Sequence, residues 1–274
     1  MIAGLLLAGP VMAGPANTIA WAPSYASARK QAIASHKLIL IDFMTDWCMW
    51  CQVMDGKVYP VPSVVKAMKQ FVPVKLNAER DGKVLAQKYD VTGYPTIIVV
   101  DSAGHRINML DGFEPPPQFT EFLNRTVPEA AGFHALQRAV KMHPNSISLN
   151  VKYANDLFDR GLTPQLTTLI PHIESIGGGP QITNIYSEMG QLALGKMEPS
   201  LAEVWLLKEI RFSKAPVDQF QARAQLITLY QKTDNKPGME TQLQAIIDIR
   251  GLPRNLRDQA RQGLAELKAG KPLQ

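Results

Sequence analysis

The stretch Leu38-Ile39-Leu40-Ile41-Asp42-Phe43-Met44-Thr45-Asp46-Trp47-Cys48-Met49-Trp50-Cys51 joins a continuous apolar run with β-branched members to a pair of closely spaced thiols. Such a run predicts a strand covered on both faces in a mostly parallel sheet. A Cys-x-x-Cys spacing covers about one helical turn, so a helix starting at the pair puts the first sulfur at its N-terminus with the second just beneath it. The pair can then close into a disulfide. The unpaired N–H groups and the dipole of a helix start favour an anion, which makes Cys48 the thiol of lowered pKa and the nucleophile, and Cys51 the resolving thiol. A buried, unreactive pair is the bland alternative. Asp42 ends the apolar run. It is either a solvated strand end or a buried acid, and in the second case desolvation favours its neutral form.

The elements around this stretch follow from period and punctuation. Tyr25, Ala28, Ala32 and Ile33 recur at helical spacing behind Ser24, a candidate N-cap. After the cysteines a helix carries Val53, Met54 and Val58 until Pro60, and Pro62-Ser63 starts a second one running through Met68. Phe71 to Asn77 reads as a strand with Pro73 near its beginning, since a proline cannot donate within a central strand. A brief helix spans 81–89. The turn Val91-Thr92-Gly93-Tyr94-Pro95-Thr96 then leads into the strand Ile97-Ile98-Val99-Val100. Asp101 to Gly104 turns a hairpin towards Arg106 to Leu110, and Pro117 to Leu123 is a last helix of this part.

Beyond Val127-Pro128 no strand-like run remains. Residues 129–269 read as helices punctuated by Pro, Gly and Asn, with Gly161 and Gly195 closing two helices one repeat length apart and Pro164, Pro199 and Pro237 opening others. Helix pairs starting near Ser146, Pro180 and Val217 suit a helical-hairpin repeat. Leu201, Val204, Trp205 and Leu207 are expected to line one core face, and Phe220, Ala224, Ile227 and Tyr230 another. Fragments such as Ala139 to Asn145 carry part of a tetratricopeptide-like pattern.

With 274 residues, 46% of them hydrophobic, the chain can bury a core in each of two domains. Its formal charge of +5 is spread through the helices rather than gathered in a run, so a solvated surface is expected and no nucleic-acid partner. Cys48 and Cys51 are the only cysteines, so any disulfide is this one. That usage suits a protein cycling its thiols in an oxidising compartment. No metal site is expected. Two thiolates lack two further ligands, His36, His105, His134, His143 and His172 show no paired spacing, and Met44, Met49 and Met54 suit core packing. Residues 1–20 read as an export signal, with a short apolar core and Val11 and Ala13 at cleavage-site spacing, although no Lys or Arg precedes the core. No other stretch is long enough to span a bilayer, so no stable membrane insertion of the mature chain is expected.

Asp42-Phe43, Asp46-Trp47-Cys48-x-x-Cys51, Val74-Lys75-Leu76-Asn77 and Gly93-Tyr94-Pro95-Thr96, in this order, make residues 21–127 resemble the thioredoxin family. Within it, Asp46-Trp47-Cys48, Lys57-Val58-Tyr59 and Asp111-Gly112-Phe113 resemble the soluble C-terminal domain of thiol:disulfide interchange proteins. Met49-Trp50 between the cysteines and Gln52 after them depart from the usual pattern. The resemblance implies an α/β thioredoxin-like fold over 21–127; outside it, the helical spacing and punctuation of 128–274 predict an all-α helical-repeat domain. It implies that Asp42, with Lys75 as neighbour, accepts a proton from the resolving thiol, and that Pro95 is a cis-proline presenting backbone groups to the substrate. Trp47, Trp50 and Tyr94 beside them are candidate substrate contacts, with a plain surface aromatic as the alternative for Trp50. No cofactor is expected beyond the Cys48–Cys51 disulfide.

Two functions fit. One is an exported, periplasmic thiol:disulfide oxidoreductase, reductase or isomerase, acting on protein disulfides, with an upstream redox partner and a helical domain that recruits substrate or partner. The other is a protein-binding module whose thioredoxin-like domain is a scaffold or redox switch. Retention of both cysteines, Asp42 and Pro95 favours the first.

Overall fold

The computed structural model describes residues 18–271, so residues 1–17 of the expected export signal lie outside the described residues. By its internal contacts the chain divides into two compact units. One comprises residues up to Arg138 together with Arg160–Leu162, and the other Ala139–Asp159 and the residues from Thr163 onward.

The first unit is built on four strands, β1 (Leu38–Met44), β2 (Phe71–Asn77), β3 (Thr96–Val100) and β4 (Arg106–Asp111), in the order β2-β1-β3-β4. The sheet is mixed rather than mostly parallel: β1 runs parallel to β2, but β3 is antiparallel to both β1 and β4. The short turn at Asp101–Gly104 makes β3 and β4 a hairpin, a connection only antiparallel strands can use. Central β1 is buried on both faces, as its apolar run requires, and continues two residues past Asp42.

Alternation sorts β1 into two faces. Ile39, Ile41 and Phe43 join a core with Ala28 and Ala32 of helix α1 (Tyr25–Ser35) and Ala86 of a short helix after β2. Leu40 and Asp42 point to the opposite face. Ser24 caps α1, its hydroxyl accepting the Ser27 N–H at 3.2 Å. Pro73 is the third residue of β2, near its beginning as expected. It is tolerated there because its carbonyl accepts the Ala22 N–H on the outer edge, so its nitrogen faces away from the β1 ladder.

On the Asp42 side, α2 (Met49–Val53) passes directly into a π-helical turn, Met54–Val58, and α3 (Pro62–Met68) follows with its proline in the first turn. After the short α4 (Lys83–Lys88) and the hairpin comes α5 (Pro116–Met142). This helix runs through Pro128, where a domain boundary was expected. An interior proline costs about 3 kcal/mol. The buried stripe Phe119, Phe122, Leu123, Thr126, Ala130, Phe133 and Leu136 continues across it without a phase break. At about 1.5–3 kcal/mol for each large apolar side chain buried, that stripe outweighs the proline.

The second unit is helical: α6 (Ile147–Asp159), α7 (Thr163–Ser175), a 3-10 turn at Gly179–Gln181, α8 (Thr183–Gly195), α9 (Pro199–Phe212), α10 (Pro216–Lys232), α11 (Lys236–Ile247) and α12 (Arg254–Lys268). Helix α6 packs on α7, and α8 through α12 each pack on the next. The proline-opened and glycine-closed boundaries stand where expected, but two faces are rotated. In α9 the buried residues are Ala202, Trp205, Leu206 and Glu209, while Leu201, Val204 and Leu207 are 42%, 48% and 43% exposed. In α10 they are Ala222, Leu226, Leu229 and Tyr230. The expected faces follow the largest side chains, whereas the contacts are made where fully buried Ala202 and Ala222 let helix axes approach.

Candidate active site

Cys48 and Cys51 form a disulfide with their Cα atoms 5.3 Å apart. Cys48 is the N-cap of α2: its Sγ accepts the Cys51 backbone N–H at 3.1 Å, so the first sulfur occupies the position where the helix end supplies unpaired donors. Both cysteines are 4% exposed, so in this oxidised state neither is covered more than the other. Their neighbours are open: Trp47, Met49 and Trp50 are 66%, 68% and 51% exposed.

These aromatics do not float free. The Trp47 indole N–H donates to Glu79 at 3.1 Å, and its ring stands edge-on to Tyr94, centroids 5.8 Å apart. That contact brings the Tyr94-Pro95 loop beside the residue preceding Cys48. The Tyr94–Pro95 bond is cis, Pro95 is buried, and its carbonyl accepts the Gly112 N–H at 2.8 Å. Gly112 has φ 84°, a left-handed value that suits glycine and turns the chain out of β4. The next residue, Phe113, packs on Trp50 with ring centroids 5.1 Å apart. Phe113 thus extends the expected aromatic set of Trp47, Trp50 and Tyr94. Phe113 sits in a loop more than sixty positions downstream, and only the resemblance of Asp111-Gly112-Phe113 singles it out.

Asp42 is 1% exposed, so it is a buried acid and not a solvated strand end. In the parallel β1–β2 pair it is in register with Lys75, which places the two side chains together. The Lys75 ammonium is 3.6 Å from Asp42 Oδ2 and forms an ion pair with Asp55 of the π-helical turn. The Tyr59 hydroxyl, just past that turn, donates to the same Oδ2 at 2.7 Å. Oδ1 of Asp42 is buried without a hydrogen-bond partner among the described residues. Burial pushes the Asp42 carboxyl up to about 6, against the opposing pull of Lys75 and Tyr59, while Asp55 adds to the rise. Burial also lifts the Tyr59 phenol well above its ordinary value, with Asp42 and Asp55 reinforcing it, so Tyr59 stays a donor. Asp55, Tyr59 and Trp21 are absent from the expected set. Asp55 and Tyr59 follow Cys51 at four-residue intervals on one continuous helical segment, a signal visible in the sequence.

Among the described residues no group of three or more His, Cys, Asp or Glu side chains is arranged to hold a metal ion. Two thiols, a buried acid with its cation, and an exposed aromatic rim are the chemical groups that a nucleophile, a proton acceptor and an apolar contact surface require.

Residues 25–126 match the family model of the thioredoxin-like domain. This part of the chain is a thioredoxin-like domain. Such domains make up a family of thiol:disulfide oxidoreductases, and this one carries the Cys-x-x-Cys pair at its helix start. It is 31% identical over 94 residues to the thiol:disulfide interchange protein DsbD of Photorhabdus laumondii, a match covering 32% of this chain and 16% of that protein. It is 30% identical over 102 residues to a protein disulfide-isomerase of Triticum aestivum, covering 36% and 20% respectively. The chain therefore spans only a fifth or less of the length of these relatives. Among solved structures, the oxidised DsbD C-terminal domain of Neisseria meningitidis is 29% identical, with a TM-score of 0.33 over 37% of this chain and 91% of that one. A thioredoxin from Thermus thermophilus is 28% identical, with a TM-score of 0.36 over 38% and 84%. The family match ends within α5, and the helices of the second unit lie outside it.

Proposed function

We propose that the chain is a thiol:disulfide oxidoreductase acting on protein disulfides, and that Cys48 as N-cap of α2 is the observation carrying this reading. In the reduced protein the helix start favours the Cys48 thiolate. That thiolate attacks one sulfur of a substrate disulfide, forming a Cys48–substrate mixed disulfide and expelling the other substrate sulfur as a thiolate, which takes up a proton. The Cys51 thiol gives its proton to Asp42, directly or through a water, and the resulting thiolate attacks Cys48 Sγ. This closes the Cys48–Cys51 disulfide and releases the second substrate thiol. Two electrons pass to the substrate, and an upstream dithiol restores the reduced pair. Attack on one bond followed by return of the substrate thiolate to another gives isomerisation by the same chemistry.

Trp47, Trp50, Tyr94 and Phe113 offer a half-exposed aromatic border on which an unfolded segment beside a disulfide can lie. The second unit recruits the substrate or the redox partner, and its exposed Leu201, Val204 and Leu207 support that role. The chain works after export, in a compartment where disulfides persist. Among the described residues no helix is long and apolar enough to cross a membrane.

Reduction of insulin by the purified chain, driven by a dithiol, tests the activity. Cys48→Ser is expected to abolish turnover, whereas Cys51→Ser is expected to accumulate mixed disulfides with substrate because only the resolving step is lost. A wild-type chain that leaves insulin intact, or faster iodoacetamide labelling of Cys51 than of Cys48 in the reduced protein, overturns the reading.

A further inference from the structure

We infer that Tyr59 is a positioning residue for the proton transfer proposed above: its hydroxyl anchors Asp42 through Oδ2 and so leaves Oδ1 as the oxygen that takes the proton of the resolving thiol. The inference rests on that proposed exchange chemistry, but the geometry is its own. Both polar partners of the carboxyl converge on one oxygen, Tyr59 at 2.7 Å and Lys75 at 3.6 Å on Oδ2. The other oxygen is equally buried and has no partner among the described residues. A buried carboxylate oxygen with no donor on it is the one of the pair whose lone pairs are open to a proton.

The surroundings fix Tyr59 itself. Its ring is edge-on to Trp21 at 5.1 Å and to Phe119 of α5 at 5.9 Å. The Lys75 ammonium lies 4.9 Å from the Trp21 ring centre and 5.1 Å from that of Tyr59, so the two rings hold the cation against Oδ2. The charged groups facing Asp42 are Lys75 from β2 and Asp55 from the π-helical turn, while Trp21 and Phe119 add none.

Tyr59→Phe removes the hydroxyl and keeps the ring, with its packing and its contact to Lys75. The Asp42 titration is read by carboxyl carbon NMR in the disulfide form, where no turnover is needed. The expected result is an upward move of about one pH unit, a tenfold rise in proton affinity, as befits loss of a hydrogen bond to a charged group. The pH profile of mixed-disulfide resolution is expected to move with it, and in an Asp42→Asn background Tyr59→Phe is expected to leave that profile where it is. Replacing Tyr59 by 3-fluorotyrosine, a stronger donor of the same shape, is expected to move the titration down. It supplies the decisive measurement if the phenylalanine variant does not fold. An Asp42 titration unmoved by both replacements, or a profile shift that persists without Asp42, overturns the inference. Wild-type inactivity on disulfides with the NMR shift intact instead overturns the exchange chemistry while leaving the anchoring of Oδ2 in place.

Discussion

Asp42 shows how a single residue can set a pH dependence for the whole domain. Its carboxyl titrates near 6 in the folded chain and near 3.8 when unfolded, so the folded state binds the proton more tightly. Stability from this group is fully present below the unfolded value and is lost as pH rises through 6. A shift of about two units corresponds to roughly 3 kcal/mol. Asp42→Asn is therefore expected to match the wild type at pH 4 and to exceed it by about that amount above pH 7 in urea denaturation, while slowing exchange near neutrality because the amide accepts no proton. A stability difference constant across pH would assign the residue a packing role instead. Cys48, Cys51 and Asp42 stand out in the sequence because thiols at turn spacing and an acid inside an apolar run are chemically conspicuous. Tyr59 is marked only by its four-residue spacing behind Cys51 and Asp55, which does not reveal the Asp42 oxygen it holds, and Trp21 is not marked at all, because it acts by packing on Tyr59 and Lys75.

At the scale of elements, α5 makes a similar point about local signals. Proline is the strongest helix breaker and Val127-Pro128 was a reasonable stop, but the apolar phase of the helix runs on to Leu136. Pro128 itself is exposed and supports no core packing. Pro128→Ala restores an N–H for the Asn124 carbonyl and removes about 3 kcal/mol of helix penalty, less up to about 1 kcal/mol from the looser unfolded chain. A net gain of about 2 kcal/mol is expected in chemical denaturation, with no change in insulin reduction. A destabilised variant would mean that the proline shapes α5 rather than burdening it. The rotated faces of α9 and α10 have a related origin. Period alone gives the spacing of a stripe, and choosing among stripes by bulk misses contacts organised around alanines such as Ala202 and Ala222.

For the whole molecule, the question is where the thioredoxin-like domain stops being able to fold. A chain cut after Val127 keeps all four strands, yet it discards Ala130, Phe133 and Leu136 from the buried stripe. It also discards His134, whose Nε2 lies 3.3 Å from the Asp101 carboxylate at the β3–β4 turn. Phe133 and Leu136 together represent about 3–6 kcal/mol of burial. Against a typical total of about 5–15 kcal/mol, that loss decides the outcome for a domain of this size. A fragment of residues 21–138 is therefore expected to melt cooperatively and well above 21–127 by circular dichroism. Any folded fraction of either should reduce a small disulfide, since both carry Cys48, Cys51, Asp42 and Tyr59. The full chain is expected to match 21–138 on the small disulfide and to exceed it on a protein substrate, because recruitment by the helical unit raises the local concentration of the target without altering the thiol chemistry. Equal melting of the two fragments would remove the second half of α5 from the core. Equal rates of fragment and full chain on the protein substrate would leave the helical unit without a part in turnover.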